Sequence, residues 1–177
     1  MNNIQDLFEF RDIRPEEEDQ AIEIEKICFP PNEACSPEHM AARVRKAPEL
    51  FLVAEDKAAG RLAGFLNGLS TDEEVFRDEF FTDAELYDPA GKNVMLLGLD
   101  VLPEYRGRGL AKALVRIFLE REYKRRAASG KAILTCHEEK IEMYRKMGFK
   151  DLGISRSVWG GGVWHDMAAE YLASGEK

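Results

Sequence analysis

A buried strand that runs into a double-glycine turn and then a long helix restricts this chain more than any other feature. Val94 to Leu102 is apolar except for Gly98 and Asp100, the pattern of a strand covered on both faces. The turn Val101-Leu102-Pro103-Glu104-Tyr105-Arg106-Gly107-Arg108-Gly109-Leu110-Ala111 follows. A helix is predicted from about Gly109 to Ala128, with Leu110, Ala113, Leu114, Ile117, Phe118 and Arg121 on one face. The turn has a chemical meaning of its own. Glycines let the backbone approach a ligand closely, and the first amides of the helix point outward, without partners, at the positive end of its dipole. That is a pyrophosphate site in physical terms, with a plain glycine-rich turn as the alternative. The missing G-K-[ST] ending excludes a P-loop, and Ala111-Lys112 stand where the dinucleotide fingerprint needs a later glycine.

The rest of the chain supplies strands and helices in alternation. Residues Leu7 to Arg14 alternate apolar and polar, as a short strand does. Pro15 opens an acidic first turn of a helix whose apolar side is Ile22, Ile24, Ile27 and Phe29, ended by Pro30-Pro31. Ser36-Pro37-Glu38 caps a second helix to about Lys46. Phe51–Ala54 and Leu62–Leu66 form a hairpin around Asp56 to Gly60. Residues 72 to 88 hold eight acids and one base, Arg77, with phenylalanines interleaved, and read as a partly helical excursion. Ala132 to Cys136 is a buried strand, Glu138 to Met147 a helix closed by Gly148, and Val163 to about Ala169 a last strand. The expected fold is α/β (α+β), a mixed central sheet flanked by helices, in one domain spanning residues 1–177.

Charge and cysteine usage narrow the partners. The net charge of −8 argues against nucleic acid. No apolar run approaches the roughly 18 residues a membrane span needs. Three scattered cysteines, Cys28, Cys35 and Cys136, argue for a reducing compartment, and the N-terminus lacks the regions of a signal peptide, so a cytoplasmic location is expected. The charge is uneven. Glu104 to Lys131 carries nine bases and three acids, a net of +6, and the remaining residues 16 bases and 30 acids, a net of −14. The basic segment begins where a polyanionic ligand would dock.

Arg106-x-x-Gly109-x-Ala111 resembles the R/Q-x-x-G-x-G/A signature of the GCN5-related N-acetyltransferases. Met143-Tyr144-Arg145-Lys146-Met147-Gly148-Phe149 resembles that superfamily's downstream Y-x-x-x-G-F. Glu25-x-x-Cys28-Phe29, Pro48-Glu49-Leu50, Gly60-Arg61-Leu62 and Asp72-Glu73-Glu74 follow the order seen in arylalkylamine N-acetyltransferases and their microbial relatives. The resemblance covers roughly residues 10 to 170. It implies acetyl-coenzyme A as cosubstrate, no metal, and a small amine acceptor, in a monomer or homodimer. Carried over, Leu99, Asp100 and Val101 hold the pantetheine arm through their backbone amides. Arg106, Gly107, Arg108, Gly109, Leu110, Ala111 and Lys112 cradle the pyrophosphate. Tyr144 protonates the departing thiolate, its alternative being a packed helix-face tyrosine.

One departure stands out. Animal arylalkylamine enzymes carry an H-x-H pair on the central strand, and Met95 and Leu97 occupy the matching positions here; neither relays protons. The candidate bases are Asp100, His137, Glu138 and the acidic excursion. The alternation of a strand turns Asp100 away from Leu97. His137 is read equally as a solvent-facing loop residue. The resemblance assigns the acceptor to Phe29, Pro37, Met95, Leu97, Trp159 and Trp164, where aromatic rings suit a flat or cationic molecule and the tryptophans read equally as packing residues. The expected activity is acetyl transfer to a primary amine by direct attack in a ternary complex. The alternatives are peptide or protein acetylation, and a non-catalytic acyl-coenzyme A sensor.

Overall fold

In the computed structural model, which describes residues 3–126 and 129–175, seven strands form one sheet in the order β1-β2-β3-β4-β5-β7-β6. A helical turn α1 (Ile4–Leu7) precedes β1 (Phe8–Asp12). The strand expected from Leu7 therefore starts one residue later, because Asn3 and Asp6 close a capping box around α1. Then come α2 (Glu18–Cys28), α3 (Pro37–Lys46), β2 (Phe51–Asp56), β3 (Arg61–Thr71), α4 (Glu79–Thr82), β4 (Asn93–Val101), α5 (Leu110–Arg125), β5 (Lys131–Cys136), α6 (Ile141–Arg145), β6 (Lys150–Ile154) and β7 (His165–Glu170). The helix predicted to Ala128 ends at Arg125; positions 127 and 128 lie outside the described residues.

The hairpin strand expected to end at Leu66 continues to Thr71, buried from Leu62 onward. Its extra polar side chains have partners, the Asn67 amide nitrogen excepted. Arg43 donates to the Asn67 side-chain oxygen (3.3 Å), the Ser70 hydroxyl donates to the Asp88 carbonyl (2.6 Å), and the Thr71 hydroxyl oxygen accepts from the Glu73 amide (3.1 Å). A buried polar strand is tolerated when it is satisfied in this way. The last strand starts at His165, two residues later than expected.

Helix α2 turns a different stripe inward than its isoleucines suggest. Ala21, Ile24 and Glu25 are buried, and Ile27 is 56% exposed. The inward positions follow i, i+3, i+4 spacing, so a glutamate stands in the core-facing row. At the far end of α5, Glu122 is fully buried between Arg125 (3.0 Å) and Arg126 (2.6 Å), and Arg121 pairs with Asp12. These three bases of the basic segment are therefore tied up internally, away from the helix start.

Two features of the sheet prepare the site. Strands β4 and β5 run parallel but pair only through Val94 with Ala132 and Met95 with Ile133, and beyond these they splay apart. Strand β4 also carries a bulge: Asn67 pairs with Gly98 and Gly68 with Leu96, leaving Leu97 as the extra residue.

Candidate active site

A cavity of about 550 Å³ opens where β4 and β5 part. One half is walled by Leu99, Val101, Arg106, Ala111, Val115, Cys136, Met143 and Tyr144; the other by Glu25, Phe29, Glu33, Phe81, Trp159 and Trp164, with His137 beside them.

The first half ends on the glycine turn. Gly107 (φ +74°) and Gly109 (φ +81°) occupy left-handed backbone, which other residues adopt only at a cost. Gly109 is the cap of α5, and no side chain caps the helix, so its first amides are free. The residues present therefore fit a pyrophosphate: orphan donors, a dipole end and no acid in the first turn. Arg108 lies over the Tyr105 ring (5.8 Å), and Tyr105 donates to Asp56 (2.8 Å), which anchors the turn. Arg106 folds back, its Nε donating to the Val101 carbonyl (2.9 Å). Leu110 is buried and Lys112 exposed on α5.

Tyr144 sits on α6 at the cavity wall, edge-on to Phe149 (ring centroids 5.5 Å apart). Burial, then the neighbouring Cys136 and Asp100, push its hydroxyl well above its usual value. It therefore keeps its proton firmly and suits donating a hydrogen bond to a sulfur that gains charge.

Of the predicted acceptor residues, Phe29, Leu97, Trp159 and Trp164 line the cavity. Met95 does not: it is fully buried in the core, and the bulge at Leu97 breaks the alternation that would have put the two on one face. Pro37 is exposed at the first turn of α3, outside the cavity, where Ser36 caps the helix by accepting from the His39 amide. Trp159 Nε1 donates to the Glu33 carbonyl (2.9 Å), Trp164 Nε1 to the Trp159 carbonyl (2.8 Å), and Asn32 to the Gly160 carbonyl (2.9 Å). The Trp159 and Asn32 bonds join the loop after α2 to the loop before β7, and the Trp164 bond ties the second loop to itself. Phe81 from the acidic excursion packs on Trp159 at 4.8 Å. The excursion thus contributes an aromatic wall to the cavity, while its Glu73 pairs with Arg77 at the surface.

His137 reaches the cleft and stacks on Trp164 at 3.8 Å. Its Nδ1 lies 3.1 Å from the Val163 carbonyl and its Nε2 2.8 Å from a Glu33 carboxylate oxygen. Both partners accept only, so the ring is satisfied with a proton on each nitrogen. Burial draws the imidazole down, but the bonds to Glu33 and Val163 outweigh it and raise it above 6.5. In that form the imidazole has no lone pair for an amine's proton. Asp100 faces α2, as alternation suggested, and lies with Glu25 beneath Gly98. Glu33 and Glu25 were missed by sequence reasoning; for Glu25 the signal was its place in the inward row of α2. Among the described residues no group of three or more His, Cys, Asp or Glu is arranged to hold a metal, and no helix is long and apolar enough to cross a membrane.

Comparison with known proteins agrees with this architecture. Residues 13–149 match the model of the Acetyltransferase (GNAT) family. The chain belongs to that family, a family of acyl-coenzyme A-dependent acetyltransferases. No curated protein matches it in sequence. Among solved structures, it is similar to the GphF GNAT-like decarboxylase in complex with isobutyryl-CoA (TM-score 0.78, 18% identity, 93% of this chain and 100% of that one). It is also similar to the ribosomal-protein-S18-alanine N-acetyltransferase from Escherichia coli (TM-score 0.67, 17% identity, 97% and 98%). A spermidine N-acetyltransferase SpeG chimera from Vibrio cholerae and hSSAT is a further match (TM-score 0.65, 15% identity, 93% and 96%).

Proposed function

We propose that this chain transfers the acetyl group of acetyl-coenzyme A to a small primary amine that is protonated in solution, with arylalkylamines as the leading class. The reading treats residues 1–177 as one cytoplasmic domain, a monomer or homodimer. The observation that carries it is the wall of the second cavity half, where Phe29, Phe81, Trp159 and Trp164 surround a space that Glu25 and Glu33 also line. Flat apolar faces with carboxylates suit an aromatic or extended ammonium. Two of the similar folds belong to N-acetyltransferases, one for spermidine and one for an alanine of a ribosomal protein, which supports an amine acceptor.

In this reading the turn amides from Gly107 to Lys112 hold the pyrophosphate, and the β4 backbone at Leu99, Asp100 and Val101 holds the pantetheine arm. Tyr144 hydrogen-bonds the sulfur. Bringing both substrates together in one cavity replaces a bimolecular encounter by a positioned attack. A thiol-release assay with acetyl-coenzyme A and a panel of arylalkylamines, polyamines and short peptides tests it. Release with a small amine is the expected result; release with peptides alone would redirect the acceptor assignment. Tight cosubstrate binding without release for any acceptor would overturn the enzyme reading in favour of a sensor.

A further inference from the structure

Beneath the acceptor half of the cavity lie two carboxyl groups that the pyrophosphate turn and Tyr144 do not use. Glu25 on α2 is 3% exposed and Asp100 on β4 is 0% exposed. The Cys35 amide donates to Glu25 Oε1 (2.8 Å). Glu25 Oε2 and both Asp100 oxygens have no donor among the described residues. Asp100 Oδ1 and Glu25 Oε2 lie around one point beneath Gly98, and two buried acceptors so placed come together only around a shared proton. Burial first, and then the charge of Glu25, push Asp100 well above the usual carboxylate range. The shared proton therefore rests on Asp100.

Glu25 is the member of the pair that borders the cavity. Glu25 and Gly98 both line it, while Asp100 lies behind. A Cβ at residue 98 would stand 3.0 Å from Asp100 Oδ1, 3.1 Å from Asn67 Nδ2 and 3.6 Å from Glu25 Oε2. The missing side chain is what lets the pair come up against β4 beside the bulge. The other groups facing the pair are the Cys28 thiol of α2, the Cys35 thiol of the following loop, Arg43 of α3 and, across the cavity, Tyr144 of α6. The thiols of Cys28 and Cys35 are raised by burial and stay neutral. Arg43 spends its donors on Asn67 (3.3 Å) and the Phe81 carbonyl (2.8 Å), so its charge offsets the pair without binding it. The other acid at this end, Glu33, is taken up by His137, whose Nε2 lies 2.8 Å from its carboxylate oxygen.

We propose that Glu25 is the group that takes the proton from the acceptor's ammonium, and that Asp100 is a positioning residue that holds Glu25 by their shared proton. The inference rests on the amine-acetyltransferase reading. The ammonium passes one proton to the Glu25 carboxylate. The freed nitrogen lone pair forms a bond to the thioester carbonyl carbon, and the carbon–sulfur bond breaks with its electron pair on sulfur. The second surplus proton of the nitrogen goes to that sulfur, which Tyr144 hydrogen-bonds meanwhile. Amide and free thiol leave, and Glu25 returns its proton to water.

The test uses the full chain, phenethylamine as acceptor, and Glu25→Gln and Asp100→Asn. In Glu25→Gln the single side-chain oxygen accepts from the Cys35 amide or from the Asp100 hydroxyl but not from both, so a thermal melt of the variant checks its fold alongside the kinetics. Glu25→Gln is expected to lower kcat/KM for the amine about 100-fold or more at neutral pH, to recover as pH raises the free-amine fraction, and to leave acetyl-coenzyme A affinity unchanged. Asp100→Asn is expected to displace the acid limb of the pH profile, a readout that a merely structural role would not move. An activity-independent readout is the infrared carbonyl stretch of a protonated carboxyl group at neutral pH, present in the wild type and lost in Asp100→Asn. A wild-type pH profile in Glu25→Gln, or an absent band with turnover intact, overturns the inference and leaves the acetyltransferase reading standing. A band present with no thiol release from any amine overturns that reading, and the proton-acceptor role with it.

Discussion

The half of the cavity beside the glycine turn is written largely in one stretch of chain, whereas the half beside the tryptophans is assembled from five. Residues 99 to 115 supply the strand edge, the turn and the helix start, with α6 and the end of β5 completing the wall. Most of what this half offers a ligand is main chain: free amides, a dipole end and left-handed glycines. The acceptor half draws on α2 with its following loop, Arg43, Phe81, His137 and the loop holding Trp159 and Trp164. There the side chains do the work, and Arg43, Phe81, His137 and Trp159 are held by partners far away in sequence. A backbone site tolerates almost any neighbouring side chain and fails when its geometry changes. A side-chain site keeps its geometry and changes its chemistry one residue at a time.

Three substitutions sharpen that contrast. The largest effect is expected for Gly109→Glu, which forces a side chain into left-handed backbone and puts a negative charge at the free helix end. Acetyl-coenzyme A affinity measured by calorimetry should fall at least about 100-fold, since the strain of roughly 1–2 kcal/mol adds to charge repulsion. Intact binding would mean that the turn is not the pyrophosphate cradle. Tyr144→Phe should come next, lowering kcat about 10- to 100-fold for one lost charge-assisted hydrogen bond of roughly 1.5–3 kcal/mol. Cosubstrate affinity should hold; an unchanged kcat removes Tyr144 from the chemistry.

The smallest effect concerns His137 and is one of pH. Its folded value is raised above the unfolded one near 6.5. The stability it contributes is therefore fully present below about pH 6.5 and is lost as pH rises through the folded value. Thermal melts of His137→Gln should show their deficit mainly on the acid side, with the two curves converging in alkali. A deficit equal at all pH values would mean that Glu33 and His137 are not an ion pair.

Much of the architecture was legible because it depends on short-range pattern. The apolar run of β4, the glycines at 107 and 109 and the face of α5 each announce an element within about ten residues of themselves. The bulge was not legible, since Leu97 looks like any other strand residue until its pairing with β3 is known. For that reason Met95 and Leu97 were assigned to one surface and lie in two environments. The ion pair of Glu33 with His137 spans 104 residues, and no local spacing encodes it. Glu25 was hidden in a subtler way. Counting isoleucines placed the apolar side of α2 one step round the helix, so Glu25 was read as part of a motif and not as an acid in the inward row. The basic segment was read correctly as sequence, but its Arg121, Arg125 and Arg126 neutralise Asp12 and Glu122 rather than a ligand.

The clasp between the loop after α2 and the loop before β7 has a consequence for how such a chain diversifies. Its two bonds, from Asn32 and Trp159, both end on main-chain carbonyl oxygens, those of Gly160 and Glu33. A carbonyl is present whatever side chain the residue carries. The identities at 29, 30 and 31 are thus unconstrained by closure of the lobe, and changes there alter what it admits without opening it. A lineage, or a mutagenesis library, can rewrite the guest list at those positions while the door stays hung.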